Sequence, residues 1–271
     1  FYFSFKKTSI HGKGVRIQKS NGVSPYLILL IILFPQVISD FDMTLTRFAH
    51  NGMRVPTTHS KHLLNTYYPI EIDAGRSTEE KLPLMVECFC LNLCNTSVPI
   101  VPADMYVCVC REGYKVFFDH LAEHHIPLLI FSAGVGDVLE EVIRQNHVFH
   151  PNINIISNYM DFDHTGVLQA FKGQLIHTFN KRQGALSHAA HLRQVQDRPN
   201  VLLLGDSLGD LTMADGVTDT HNILTIGFLN DQVEERKESY INSFDIVLVK
   251  DETMDIPNAI VKYVTSSRYS K

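Results

Sequence analysis

The 271-residue chain has no tryptophan, no long apolar run and no surplus of basic charge, and each absence removes a class of function. Its longest uninterrupted apolar stretch, Tyr26 to Phe34, is nine residues, against the ~20 that a membrane-crossing helix needs. No membrane partner is expected. Lys+Arg 24 against Asp+Glu 29 leaves a formal charge of −5, so the overall balance offers no cationic face to displace counterions from a nucleic-acid backbone. No nucleic-acid partner is expected either. With Trp absent, aromatic stacking falls to 10 Tyr and 16 Phe. Glycine (15) and proline (11) are too sparse for a collagen-like or disordered chain, and 45% hydrophobic with 20% charged residues is a globular balance. The length suits one large domain, or one domain carrying a smaller insert.

The five cysteines are confined to Cys88-Phe-Cys90, Cys94 and Cys108-Val-Cys110. An odd number does not fit a secreted disulfide framework. A one-residue gap leaves no room for the turn between zinc ligands, which usually stand two to four residues apart. Reduced structural cysteines in a cytoplasmic protein are expected. The first 39 residues carry Lys6, Lys7, Lys13, Arg16 and Lys19 without an acid. A basic stretch before a short apolar run can be read as a leader, but cleavage after that run would fall almost on Asp40. The expectation is a solvated arm over residues 1–35 that leads into a buried strand. The 14 histidines contain no His-Glu-x-x-His pattern, and His188 and His191 on one helix face are expected at the surface.

From Pro127 onward, short apolar runs alternate with amphipathic ones. Pro127 to Ser132, Ile153 to Ser157, Val201 to Leu204, Ile223 to Phe228 and Ile246 to Val249 read as strands, and Met160 to Phe171 as a hairpin turning at 164–166. Helices are expected after Asp137 as an N-cap, with Leu139, Val142 and Ile143 on one face, and through Ala185 to Val195. Nearly continuous apolar strands between helices imply a parallel sheet covered on both faces. Gln36 to Ser39 is the first such strand. Between it and Pro127, Ser77-x-x-Glu80 spells a capping box for a helix reaching about Leu93 and kinked at Pro83. Arg111 to His125 places Tyr114, Phe117, Phe118 and Leu121 on one helical face, and 95–109 reads as a loop. A helical module inserted after the first strand would sit over the strand ends where open parallel sheets bind ligands.

Four short stations fall at strand ends. Asp40-Phe-Asp42-Met-Thr44 turns two carboxylates to one side of an extended chain, and such close anions need a cation or a shared proton. Phe131-Ser132-Ala133-Gly134 before a helix offers a hydroxyl and N–H groups suited to a phosphate. Lys181 follows Thr178-Phe-Asn180. Gly205-Asp206-Ser-x-Gly-Asp210 supplies oxygens for a hard cation, Mg²⁺ being the natural choice beside a phosphate. Taken singly, each could be a capped turn, a plain strand-to-helix turn or a surface charge.

The ordered set resembles the haloacid dehalogenase-like phosphohydrolase superfamily. Val37 to Thr46, Ile130 to Gly134, Phe171 to His177 and Gly205 to Val217 are similar, within it, to the pyrimidine (class III) cytosolic 5′-nucleotidases. Tyr68 to Asp73 and Ile226 to Asp231 resemble that family's 7-methylguanosine phosphate-specific branch. The resemblance departs over residues 1–35 and over 88–111, where the family carries two tryptophans after the glutamate and this chain has Glu87-Cys88-Phe89.

The resemblance implies a Rossmann-like α/β parallel-sheet core over 36–58 and 112–271, with a small helical cap, altered in this chain, over 59–111. It implies Asp40 as nucleophile, Asp42 as general acid and base, and Ser132, the Ala133 N–H and Lys181 as phosphate ligands. Asp40, Asp206 and the backbone carbonyl of Asp42 would hold Mg²⁺, with Asp210 supporting the metal through water or orienting Lys181. Glu87 would bind the base of a small-molecule nucleotide such as 7-methyl-GMP, CMP or UMP, and a monomer is expected. A phosphatase for another metabolite such as phosphoserine, or an inactive scaffold, are the alternatives.

Overall fold

The computed structural model describes residues 15–18, 35–58, 61–73, 75–77, 79–81, 83–84, 109–165, 168–181, 198–215, 220 and 222–266. Its centre is a seven-stranded sheet in the order β1-β11-β10-β9-β2-β5-β6. The strands are β1 (Val15–Gln18), β2 (Pro35–Ser39), β5 (Leu128–Val135), β6 (Ile153–Asn158), β9 (Asn200–Gly205), β10 (Asn222–Leu229) and β11 (Ile246–Val249). All neighbours are parallel except β1, which pairs antiparallel with β11 at one edge. That strand corrects one expectation. Val15–Gln18 is sheet, so residues 1–35 are not simply a solvated arm, and Pro35 already belongs to β2.

The continuous apolar runs are explained by burial on both faces. Along β9, Leu202 and Leu204 join a cluster with Val37, Leu128, Ile130, Phe117, Phe118 and Leu121. The intervening Val201 and Leu203 join Ile38, Leu129, Phe131 and Met213 on the other side. Successive side chains of a strand point to opposite faces, so a strand covered on both sides cannot alternate polar with apolar. This is the Rossmann-like α/β core expected from the resemblance.

The first face is covered by α2 (Tyr114–Glu123), α3 (Gly136–Gln145) and α5 (Asp255–Ser266). The helix expected from Arg111 begins instead at Tyr114, because Arg111 turns inward and Gly113 takes the left-handed conformation (φ 82°) at the N-cap. Asp137 is not a cap. It sits in the first turn of α3, where its Oδ2 accepts the Met160 N–H at 2.8 Å, and Val135, which ends β5, is the N-cap. The hairpin is present as β7 (Met160–Phe162) and β8 (Leu168–Phe171).

Between β2 and α2 lie the hairpin β3 (Ala49–His50) and β4 (Met53–Arg54), the helix α1 (Lys61–Glu71) and helical residues within 79–84. The capping box is formed. Glu80 Oε2 accepts the Ser77 N–H at 2.8 Å, and Ser77 Oγ accepts the Glu80 N–H at 3.3 Å. Its continuation to Leu93 lies outside the described residues, as do the expected helix at 185–195, His188 and His191. The segment returns close to where it left. Arg47 N–H donates to Val109 O at 2.8 Å and Arg111 N–H to Leu45 O at 3.0 Å. Cys110, in that pairing, is a buried free thiol, and burial pushes its pKa up to about 12.

Strand order sets the position of the site. The chain runs from β2 outward through β5 to β6, then crosses back to β9 on the other flank of β2. Ligands of open parallel sheets bind beyond the carboxyl ends at such a reversal. Asp40 and Asp206, the residues that immediately follow β2 and β9, are therefore side by side, with the Asp40 N–H donating to Leu204 O at 3.0 Å.

Candidate active site

The site is assembled around one buried ammonium. Lys181 Nζ donates to Asp40 Oδ1 at 2.5 Å and to Asp210 Oδ1 at 2.8 Å, and all three side chains are almost fully buried. Burial raises the pKa of Asp40 to about 7 against the opposing pull of Lys181. Burial alone would lower that of Lys181, but the two carboxylates outweigh it and raise it. Asp210 Oδ2 accepts the N–H groups of Asp206 and Ser207 at 3.1 and 2.9 Å. Both its oxygens are thus engaged, one orienting Lys181 and the other shaping the turn after β9. Gly205 is required there, since a Cβ would lie 2.5 Å from Asp210 Cβ.

Carboxylate oxygens of Asp40, Asp206 and Asp210 lie within 4.8 Å of one another. Three hard oxygen donors, two buried and one partly exposed, fit a cation of the Mg²⁺ class. Asp206 is partly exposed, and Thr44 Oγ1 donates to its Oδ1 at 3.2 Å. The carboxylate of Asp42 is not among these three. Thr58 holds it twice, by its N–H to Oδ1 at 2.9 Å and by its hydroxyl to Oδ2. Gly134 makes room for that pair, because a Cβ at 134 would meet Thr58 Oγ1 at 1.8 Å and Asp42 Oδ2 at 3.1 Å.

Ser132 and Ala133 lie near the end of β5, next to β2, where the β5–β6 register shifts between Phe131 and Val135. Ser132 Oγ is buried and accepts the Gly134 N–H at 3.0 Å. Carbonyls on this turn are tied back to β6: Asn158 Nδ2 donates to Ala133 O and Ser157 Oγ to Gly134 O, each at 2.8 Å. Asn158 also grips both backbone groups of Ile176, at 2.8 Å each, and so anchors the segment that delivers Lys181. Asp40, Asp42, Ser132, Ala133, Lys181 and Asp206 all fall at the carboxyl ends of adjacent strands or in the loops beyond them. Glu87 lies outside the described residues.

Three side chains that the sequence reading did not single out hold this centre. Thr58 is one. Arg111 is another, fully buried, donating to Thr44 O at 2.6 Å, Met43 O at 2.5 Å, Asn230 Oδ1 at 2.9 Å and Asp251 O, with its guanidinium 4.1 Å over the Phe228 ring. Burial lowers its pKa to about 10, above neutral pH, so the charge is kept. The third is Tyr240, whose hydroxyl donates to Asp206 O. No local pattern marks an isolated Thr, Arg or Tyr, and each acts on residues far away in sequence.

The model of the pyrimidine 5′-nucleotidase (UMPH-1) family matches residues 43–265 of this chain. A 7-methylguanosine phosphate-specific 5′-nucleotidase of Mus musculus is 52% identical over 252 residues, 84% of each chain. The chain belongs to the pyrimidine 5′-nucleotidase family. Members of the same name from Homo sapiens and Drosophila melanogaster are 52% and 35% identical, over 84% of this chain and 84% and 79% of theirs. Among solved structures, cytosolic 5′-nucleotidase IIIB bound to cytidine superposes with a TM-score of 0.84 at 31% identity, covering 94% of this chain and 95% of that one. The pyrimidine 5′-nucleotidase family is a family of hydrolases, and this chain is one of them. Among the described residues no helix is long and apolar enough to cross a membrane.

Proposed function

We propose that this chain hydrolyses nucleoside 5′-monophosphates, 7-methyl-GMP and CMP foremost and UMP with them, to nucleoside and phosphate through an aspartyl-phosphate on Asp40. The observation that carries the reading is the buried Asp40–Lys181–Asp210 arrangement beside Asp206, in a chain so similar to nucleotidases named for 7-methylguanosine phosphate. The cytidine in the related solved structure supports CMP.

Asp40, Asp206 and the Asp42 carbonyl would hold Mg²⁺, with Asp210 beside them. The cation would neutralise charge so that two anions can approach. Lys181 and the Ser132 hydroxyl bind phosphoryl oxygens with the Ala133 N–H, which favours the transition state as its charge spreads. An Asp40 carboxylate oxygen bonds to phosphorus as the bond to the ribose 5′-oxygen breaks, and Asp42 gives that oxygen a proton. Asp42, now a carboxylate, then takes a proton from the water that attacks phosphorus. Phosphate leaves, and Asp40 is regenerated. Glu87 accepts hydrogen bonds from the N1–H and amine of 7-methylguanine or from the amine of cytosine, and its charge opposes the cationic methylated ring.

Released phosphate from 7-methyl-GMP, CMP, UMP, AMP, phosphoserine and p-nitrophenyl phosphate, with and without Mg²⁺, tests this. The expected order places 7-methyl-GMP and CMP above AMP, with no turnover in excess EDTA. Glu87→Ala should impair both nucleotides and spare p-nitrophenyl phosphate. Preference for phosphoserine, or equal loss on all substrates in Glu87→Ala, contradicts the nucleotide reading.

A further inference from the structure

The last turn of α2 reads His120-Leu-Ala-Glu123-His124. Residues three and four apart on a helix share a face, and the turn is held in helical register by the His124 N–H on His120 O at 3.2 Å. The two imidazoles lie with ring centroids 4.4 Å apart. One ligand atom from each of His120, Glu123 and His124 falls within 4.8 Å of the others. Nothing in the phosphate chemistry uses them. Glu123 ends the helix shortly before β5 begins at Leu128, so the cluster lies at the amino edge of the sheet, opposite the carboxyl ends that carry Asp40 and Asp206.

We propose that His120, Glu123 and His124 form a second, peripheral binding site for a borderline divalent cation, Zn²⁺, where the end of α2 meets α5. Two imidazoles and one carboxylate are the donor set that suits Zn²⁺ rather than Mg²⁺ or Ca²⁺, and three protein ligands leave an open position for water. Zinc arms of ~2.1 Å make tetrahedral edges of ~3.4 Å. Binding would draw the three ligand atoms, now within 4.8 Å of one another, in to that separation by rotation of the partly exposed rings and the exposed Glu123. A cation also benefits from the negative end of a helix, where the last carbonyls point.

The neighbouring helix prepares one ligand. Thr265 of α5 is buried, and its Oγ1 lies 2.8 Å from His120 Nε2. The Thr265 hydroxyl is directed at Val261 O and Lys262 O, at 3.0 and 3.1 Å. The single hydroxyl proton serves one of these three partners, and when it goes to Val261 O or Lys262 O the oxygen accepts from His120 and the imidazole proton sits on Nε2. In the neutral ring, Nδ1 then carries the lone pair for the metal. A partner that fixes the tautomer and angle of a metal-binding histidine is the usual companion of such a site. Lys262 is within electrostatic reach of His120 and opposes a cation, while Glu123 favours one.

The test is zinc titration of the full chain by calorimetry at pH 8, above the ordinary imidazole pKa of about 6.5. Excess Mg²⁺ is present to occupy the acidic cluster. Wild type should bind one zinc equivalent more than His120→Gln or His124→Gln, and Thr265→Val should bind that equivalent at least tenfold more weakly. Zinc should raise the melting temperature of wild type but not of His124→Gln, with nucleotidase rates alike in the two proteins. In unmodified protein, the ring C–H resonances of His120 and His124 should shift together, with saturation at that equivalent. Equal stoichiometry in wild type and the His variants, or ring signals that do not move, overturns the site.

Discussion

Asp40 and Asp42 are the same residue type two positions apart, yet their surroundings differ, as the separate roles proposed for them require. Asp40 is buried against the Lys181 ammonium, whereas Asp42 is gripped by the Thr58 N–H and hydroxyl. An attacking carboxylate needs a fixed line to phosphorus, and a proton carrier needs a defined rest position from which to reach the leaving oxygen. Asp40→Asn should lose about 10⁴-fold or more in turnover, as removal of a nucleophile does, while still binding substrate. Asp42→Asn should cost about 10²–10⁴-fold on nucleotides and much less in the first step on p-nitrophenyl phosphate, whose leaving group needs no proton. Equal damage on good and poor leaving groups would contradict the acid role. Thr58→Val removes the hydroxyl contact without changing the side-chain shape. It should lower kcat for CMP about tenfold, with KM little changed, and Thr58→Ser should restore it. A loss confined to KM would make Thr58 a binding residue instead.

At the scale of elements, the turn after β2 is held by one side chain from the approach to α2. Arg111 ties Met43 and Thr44 to Asn230 beyond β10 and to Asp251 beyond β11. Asn230 Nδ2 donates to Met43 O as well, at 3.0 Å, and Met43 itself has φ 62°, a left-handed conformation that needs such support. Removing one partner of a buried charged network leaves the others unsatisfied and costs about 3–5 kcal/mol. Arg111→Met should therefore lower the urea midpoint strongly and raise the Mg²⁺ requirement, since the turn it supports carries Asp42. Unchanged stability would mean that the carbonyls find other donors.

These contacts also mark how far sequence could be read. Strands β5, β9, β10 and β11 were legible because burial on both faces writes itself as an apolar run. The short stations at Asp40, Ser132 and Asp206 could be picked out because each lies at or just beyond the end of such a run, and the structure places them side by side with Lys181 and Asp210. Arg111 and Thr58 were not, since their partners are 16 to 140 residues away and a lone Arg or Thr has no period. The β3–β4 hairpin did carry a signal in Asn51-Gly52, both at positive φ (51° and 78°), the pair that tight hairpins prefer. Helix α1 was hidden by Pro69, in its last turn, a residue that gives no N–H to the helical ladder and so reads as a helix breaker.

Over the whole molecule, the insert and the core are joined by a polar chain that ends at the acidic cluster. Tyr68, buried on α1, donates its hydroxyl to Asp231 Oδ1 at 3.0 Å, beyond β10. Arg236, on α4 (Val233–Ser243), donates to the same oxygen at 3.0 Å and to the Tyr240 hydroxyl at 2.6 Å. Tyr240 in turn donates to Asp206 O. Arg54 of β4 lies over the Tyr68 ring, 4.3 Å from its centroid, and closes the insert side. Every joint is a hydrogen bond or a cation–ring contact, so packed polar groups run without a break from α1 to the Asp206 turn. If the insert supplies nucleoside contacts, loosening this chain should weaken nucleotides more than a substrate with no nucleoside. Tyr68→Phe and Asp231→Asn should each lower kcat/KM for CMP severalfold and leave p-nitrophenyl phosphate within about twofold. The double variant should lose less than the sum of the two, with a coupling of about 0.5–1.5 kcal/mol, the net worth of one hydrogen bond. Strict additivity would mean that Tyr68 and Asp231 act separately. An equal loss on p-nitrophenyl phosphate would place the effect at the Asp206 turn and remove the insert from substrate selection.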